Sequence, residues 1–131
     1  HKYFEKSKNG YFSRLKIIQN LSAVTGACLV VRKELYEEVN GLEEKNLKVA
    51  FNDVDFCLKL LEKGYRNLWT PYVELYHHES ISRGKEDNPE KVKRFNSEVE
   101  YMKNRWLNYL ENDKYYNHNF TAKNENFEIK R

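Results

Sequence analysis

Two aspartates, Asp53 and Asp55, stand two apart where the run Asn52-Asp53-Val54-Asp55 gives way to an apolar helical pattern. On a helix, residues i and i+2 diverge, so these carboxylates do not act as one pair. In the loop before the first turn, Asp53 can face a cleft, whereas Asp55, inside that turn, favours the positive helix end. The plainer alternative is that both cap the helix. His77-His78-Glu79 has the residue types of a metal cluster, yet adjacent side chains on a strand point to opposite faces, so one histidine at most serves a given site. Arg83 and Lys85 flank Gly84 in a polar stretch, residues 80–87, that can bring cationic donors onto a phosphate. Trp69, Tyr72 and Tyr76 can offer a platform to a sugar ring, although aromatic residues on strands more often fill a core.

These groups need elements to hold them. Residues 23–31 are short, mostly apolar and rich in β-branched side chains, the pattern of a strand buried on both faces. Gly26 and Ala27 leave its backbone open to close approach. Helix-forming residues 33–39 end at Asn40-Gly41, a pair suited to the left-handed turn that stops a helix. Val54, Cys57, Leu58 and Leu61 recur at helical spacing and stop at Gly64. Residues 66–78 read as an edge or interrupted strand, with Pro71 inside. Asn88-Pro89 opens a last helix whose stripe is Val92, Phe95, Val99, Met102, Trp106, Tyr109 and Leu110. Residues 1–20 carry no assignable period, and the polar, asparagine-rich tail from residue 111 reads as loose at its end.

Alternating strands and helices argue for an α/β layer arrangement. Two clear strands make a small sheet, which calls for a preceding half outside these residues. Residues 1–86 are expected to form one α/β unit and residues 87–131 a helical extension and tail. The chain of 131 residues carries 23 basic against 20 acidic side chains, a net charge of +3, so composition demands no polyanionic partner and no nucleic-acid role is expected. No apolar run approaches the ~20 residues of a membrane helix. Cys28 and Cys57 lie in apolar runs and read as buried, reduced thiols, in keeping with a cytoplasmic setting. Membrane association would come through other parts of a longer protein.

In order, these pieces resemble the C-terminal, acceptor-side half of family-2 glycosyltransferases of the GT-A fold. The resemblance rests on Val24-Thr25-Gly26-Ala27-Cys28-Leu29, the Asn40-Gly41 turn, Phe51-Asn52-Asp53-Val54-Asp55-Phe56-Cys57-Leu58, Lys63-Gly64-Tyr65, Pro71, and the run from His77 through Glu79-Ser80-Ile81-Ser82-Arg83 to Gly84. It implies a partial GT-A fold with a C-terminal amphipathic helix and transfer of a sugar from a nucleotide-sugar donor to a glycan or lipid-linked acceptor, with inversion. By resemblance Asp53 is the catalytic base, and Thr25, Gly26, Asn52, Asp55 and Trp69 lie on the acceptor side. Arg83 and Lys85 would meet the donor diphosphate, and His77 would help to hold a divalent cation, Mn or Mg. Asn52 stands where many members carry Glu, a departure that leaves the base in place. The remaining metal ligands and the nucleotide-binding strands belong to the N-terminal half, so the piece alone is expected to be inactive. The alternative is a noncatalytic module whose basic, aromatic C-terminal helix binds a partner protein or nucleic acid.

Overall fold

The computed structural model describes residue 5 and residues 7–76, 88–124 and 127–130. Among these, three α-helices and a two-stranded antiparallel ribbon make a mixed α/β arrangement: β1 is Gln19–Leu21, α1 Lys33–Glu38, α2 Asn52–Glu62, β2 Asn67–Trp69 and α3 Pro89–Glu111. A 3-10 turn, Tyr11–Lys16, precedes β1.

The centre is α2. Its sequence is apolar on two flanks rather than along one stripe, and both flanks are covered. On one side Leu58 and Leu61 meet Leu47 from the approach to α2 and Met102 and Trp106 from α3. On the other, Phe56 and Leu60 meet Val39, with Leu35 of α1, Leu29 and Val31 packed around them. The helix stops as its composition predicts: Gly64 sits at φ 85°, with Gly64 N–H donating to Leu61 C=O and Tyr65 N–H to Leu60 C=O. Asn40 ends α1 the same way at φ 57°, with Gly41 N–H donating to Tyr36 C=O.

The three helices are joined at one buried carboxylate. Asp55 is fully buried and accepts a hydrogen bond from Trp106 Nε1 at 2.8 Å. Lys59 Nζ lies 3.3 Å from its other oxygen and also donates to Gly41 C=O, and Arg105 Nε stands 3.5 Å away. Its second oxygen has the Lys59 ammonium beside it but no hydrogen bond of normal geometry, while Arg105 stands near the oxygen that accepts from Trp106. Asp55 therefore ties α2 to α3 directly and to the end of α1 through Lys59.

Two other ties fix the ribbon. Gln19 pairs with Trp69, Asn20 with Leu68 and Leu21 with Asn67. Buried Asn67 donates from one amide nitrogen to Ser22 C=O and to Cys57 C=O, both at 3.0 Å, which seats β2 against α2. Ile18, just before β1, and Leu68 of β2 remain more than half exposed.

Several sequence expectations are corrected. Residues 23–31 form no strand: Gly26–Cys28 is a short 3-10 turn that Thr25 caps by accepting from Ala27 N–H, and Thr25 through Cys28 are exposed. The apolar run has no sheet neighbour among the described residues, and Leu29 and Val31 pack on α2 instead. Cys28 is exposed, while Cys57 is buried as expected. The tail folds back: Tyr116, Phe120 and Phe127 gather around Tyr11, with a bridge between Phe120 and Ile129. The α3 stripe is shifted as well. Glu98, Met102 and Trp106 are its buried positions, whereas Val92, Phe95 and Leu110 keep more than a third of their surface exposed.

Replacing Asp55 by Ala would leave Lys59 and Trp106 Nε1 without their buried acceptor. Loss of one partner of a buried pair costs about 3–5 kcal/mol. Urea denaturation should show a destabilisation of that order; Trp106→Phe, which removes the N–H together with part of the buried ring, should cost at least the roughly 1–3 kcal/mol of an orphaned buried acceptor.

Candidate functional site

The approach to α2 is built so that Asp53 emerges beside residues 25–28. Phe51, the residue before the helix, sits in the left-handed region at φ 63°, ψ 7°, a conformation that costs a non-glycine residue of order 1–3 kcal/mol. No side chain caps the helix from that position. The Asp and Asn residues that read as caps lie instead within the first turn. The bend at Phe51 turns the chain so that Asp53 leaves the core while Asp55 enters it.

Asp53 is half-buried. Its Oδ2 accepts from Gly26 N–H at 2.8 Å and its Oδ1 from Val54 N–H at 2.9 Å. A Cβ placed on Gly26 would come within 3.1 Å of Asp53 Cβ, so glycine is what lets the 25–28 turn approach this closely. An ionised carboxylate offers about four lone-pair sites. Two are used by backbone amides, which fix the group's orientation and leave room on each oxygen for a hydroxyl donor.

The other predicted positions divide clearly. Gly26 is brought against Asp53, with Thr25 next to it in the chain, and both are exposed. Asn52 turns inward, its amide donating to Leu47 C=O while its Oδ1 is buried without a hydrogen-bond partner. It fastens the loop rather than reaching out. Asp55 is corrected from an acceptor contact to a core residue, because its carboxylate is consumed by Trp106 and Lys59. Trp69 stands half-buried on β2 opposite Gln19. His77, Arg83 and Lys85 lie outside the described residues. Among the described residues, no group of three or more His, Cys, Asp or Glu side chains is arranged to hold a metal ion.

Glu98 is the residue that sequence reasoning missed. It is 1 % exposed, and its two oxygens accept from Val49 N–H at 2.9 Å and Ala50 N–H at 3.2 Å. Arg94 Nε lies 3.8 Å away. A glutamate on a long, charged helix reads as solvated. The signal available was its position four residues before Met102 and eight before Trp106, on the same face as the apolar stripe.

No protein-family model matches the chain, and no solved structure matches it. It is 52 % identical over 127 residues to an uncharacterized protein, y4gI, of Sinorhizobium fredii, an alignment covering 97 % of the chain and 14 % of that protein. It is also 35 % identical over 79 residues to the O-antigen biosynthesis protein RfbC of Myxococcus xanthus, covering 60 % of the chain and 6 % of that protein. The chain thus spans about a seventh or less of the length of these two relatives. Similarity to an O-antigen biosynthesis protein is therefore established for part of the chain. No helix among the described residues is long and apolar enough to cross a membrane.

The two thiols report on this site from either side, Cys28 on the turn that meets Asp53 and Cys57 one helical turn after it. Burial pushes the Cys57 thiol above its ordinary value of 9.0; the Val24 backbone opposes this and the Asp53 charge adds to it. Iodoacetamide should modify Cys28 in the folded protein and spare Cys57 until denaturant is added. The folded Cys57 thiol resists ionisation that the unfolded thiol undergoes. Its contribution to stability is thus complete below pH 9.0 and declines as pH rises towards the folded value.

Proposed function

We propose that this chain is the acceptor-side part of an inverting, sugar-nucleotide-dependent glycosyltransferase of bacterial polysaccharide biosynthesis, with Asp53 as its general base. The observation that carries this reading is a single carboxylate, half-exposed at the start of α2 and oriented by Gly26 N–H and Val54 N–H. The ordered motifs from Val24 to Gly84 and the partial similarity to an O-antigen biosynthesis protein support it.

In the proposed reaction, Asp53 accepts the proton of an acceptor hydroxyl as that oxygen attacks the anomeric carbon of the donor sugar. The bond to the nucleoside diphosphate breaks on the opposite face, which inverts the configuration. A positioned base of this kind contributes about a hundred- to ten-thousandfold. Thr25 and Gly26 form the wall nearest the base, and the acceptor, a glycan or a lipid-linked sugar, approaches over them. Trp69 would contribute an apolar face on the same side. The donor's nucleotide is bound by a preceding half of the longer protein, with Arg83 and Lys85 meeting its diphosphate.

The described residues do not by themselves assemble a metal centre. A divalent Mn or Mg ion is part of the proposal for the whole protein, with His77 supplying one imidazole and oxygen ligands coming from elsewhere.

The test is made on the full-length protein with a panel of UDP- and dTDP-sugars, following release of nucleoside diphosphate and product. Asp53→Asn should lower transfer by at least about a hundredfold while leaving donor affinity nearly unchanged; turnover near the wild-type level would rule out Asp53 as the base. His77→Ala should raise the Mn concentration needed for half-maximal rate, and an unaltered metal dependence would remove it from the site. Residues 1–131 alone should show no micromolar affinity for these donors in calorimetry.

A further inference from the structure

The bend that delivers Asp53 is held from outside its own helix. Val49 and Ala50 present their backbone N–H groups to the carboxylate of Glu98, one to each oxygen, at 2.9 and 3.2 Å. The Phe51 ring lies 5.5 Å from that of Phe95, one turn earlier on α3. Residues 49–51 are thus gripped by a single face of α3, immediately before and at the residue that takes a left-handed conformation. Glu98 is almost completely buried, so its contacts are made in a low-dielectric setting where charge-assisted bonds to amides are strong and directional.

A carboxylate suits this place for a geometrical reason. Two successive N–H groups converge on two acceptors, and only a group with two equivalent oxygens satisfies both. Glutamine would set an NH2 against one of the amides. The strain at Phe51 persists because the surroundings over-determine it, and the Glu98 grip is the contact that fixes the chain just before it. Asn52, fastened to Leu47 C=O, and Asp53, held by Gly26 N–H, continue the same fixed run.

We infer that Glu98 is a positioning residue for Asp53: by clamping the amides of Val49 and Ala50 it enforces the left-handed bend at Phe51 and so aims the Asp53 carboxylate at Gly26 and the open face. The catalytic part of this inference rests on Asp53 being the base. The structural part does not. Glu98 touches no substrate in this arrangement and acts through the backbone.

The experiment uses the full-length protein with Glu98→Gln, Phe51→Gly and the double variant. Glycine accepts the left-handed conformation without strain, so the clamp has less to enforce in that background. In Glu98→Gln, hydrogen exchange read by mass spectrometry should quicken in peptides covering residues 24–28 and 47–52 and stay unchanged elsewhere. In the sugar-nucleotide assay, kcat should fall by roughly ten- to a hundredfold, the scale of an ångström-sized misplacement, with donor KM unmoved. Both effects should shrink several-fold when Phe51→Gly is already in place. Exchange that rises throughout α2 and α3, or a loss that is equal with and without Phe51→Gly, would overturn the inference and make Glu98 a helix-packing residue. If the wild-type protein transfers no sugar while the exchange pattern and its suppression are as expected, the base assignment fails and the clamp stands.

Discussion

A carboxylate inside a protein must be compensated where it stands, and Asp55 meets that demand by gathering the helices around it. Its bond to the Trp106 indole fixes how α3 lies on α2, and the Lys59 ammonium it attracts is shared with the carbonyl of Gly41 at the end of α1. The apolar clusters on either side of α2 supply most of the driving force, but hydrophobic contact is non-directional. The polar junction supplies the direction. With α2 so fixed, the residue two places earlier has a defined exit from the core.

That division of labour explains why two aspartates at one helix start have unlike fates. The helix turns by about 200° over two residues, so the core that encloses Asp55 leaves Asp53 facing the 25–28 turn. Glu98 repeats the device on the other side of the bend, where a buried acid on α3 receives main-chain amides from the approach to α2. The two acids act at opposite ends of a short run, and between them Phe51 holds an unfavourable backbone angle. A region that carries both strain and tight fastening is one where a small displacement would matter to chemistry more than to folding.

The local punctuation was legible in the sequence. Asn40-Gly41 and Gly64 end their helices as their conformational freedom predicts, and Asn88 caps α3 by accepting from Lys91 N–H. The divergence of Asp53 and Asp55 followed from helical spacing. The run at residues 23–31 was misread because β-branched, apolar residues describe a buried surface without saying what covers it; α2 covers Leu29 and Val31, and no strand pairs there among the described residues. β1 escaped notice because three residues, Gln19-Asn20-Leu21, are too few to show a period. Glu98 escaped because a buried charge is decided by its partner, and the amides of Val49 and Ala50 are distant in sequence and invisible to any pattern of side chains. The aromatic gathering of Tyr11 with Tyr116, Phe120 and Phe127 is of the same kind, a contact between ends that no local window contains.

The ribbon of β1 and β2 has a practical consequence for handling the molecule. Each strand is three residues long, and Ile18 and Leu68 expose oily side chains beside them. A margin this short is a poor template for adding another extended chain. Stickiness at this face therefore comes from side chains rather than from backbone pairing.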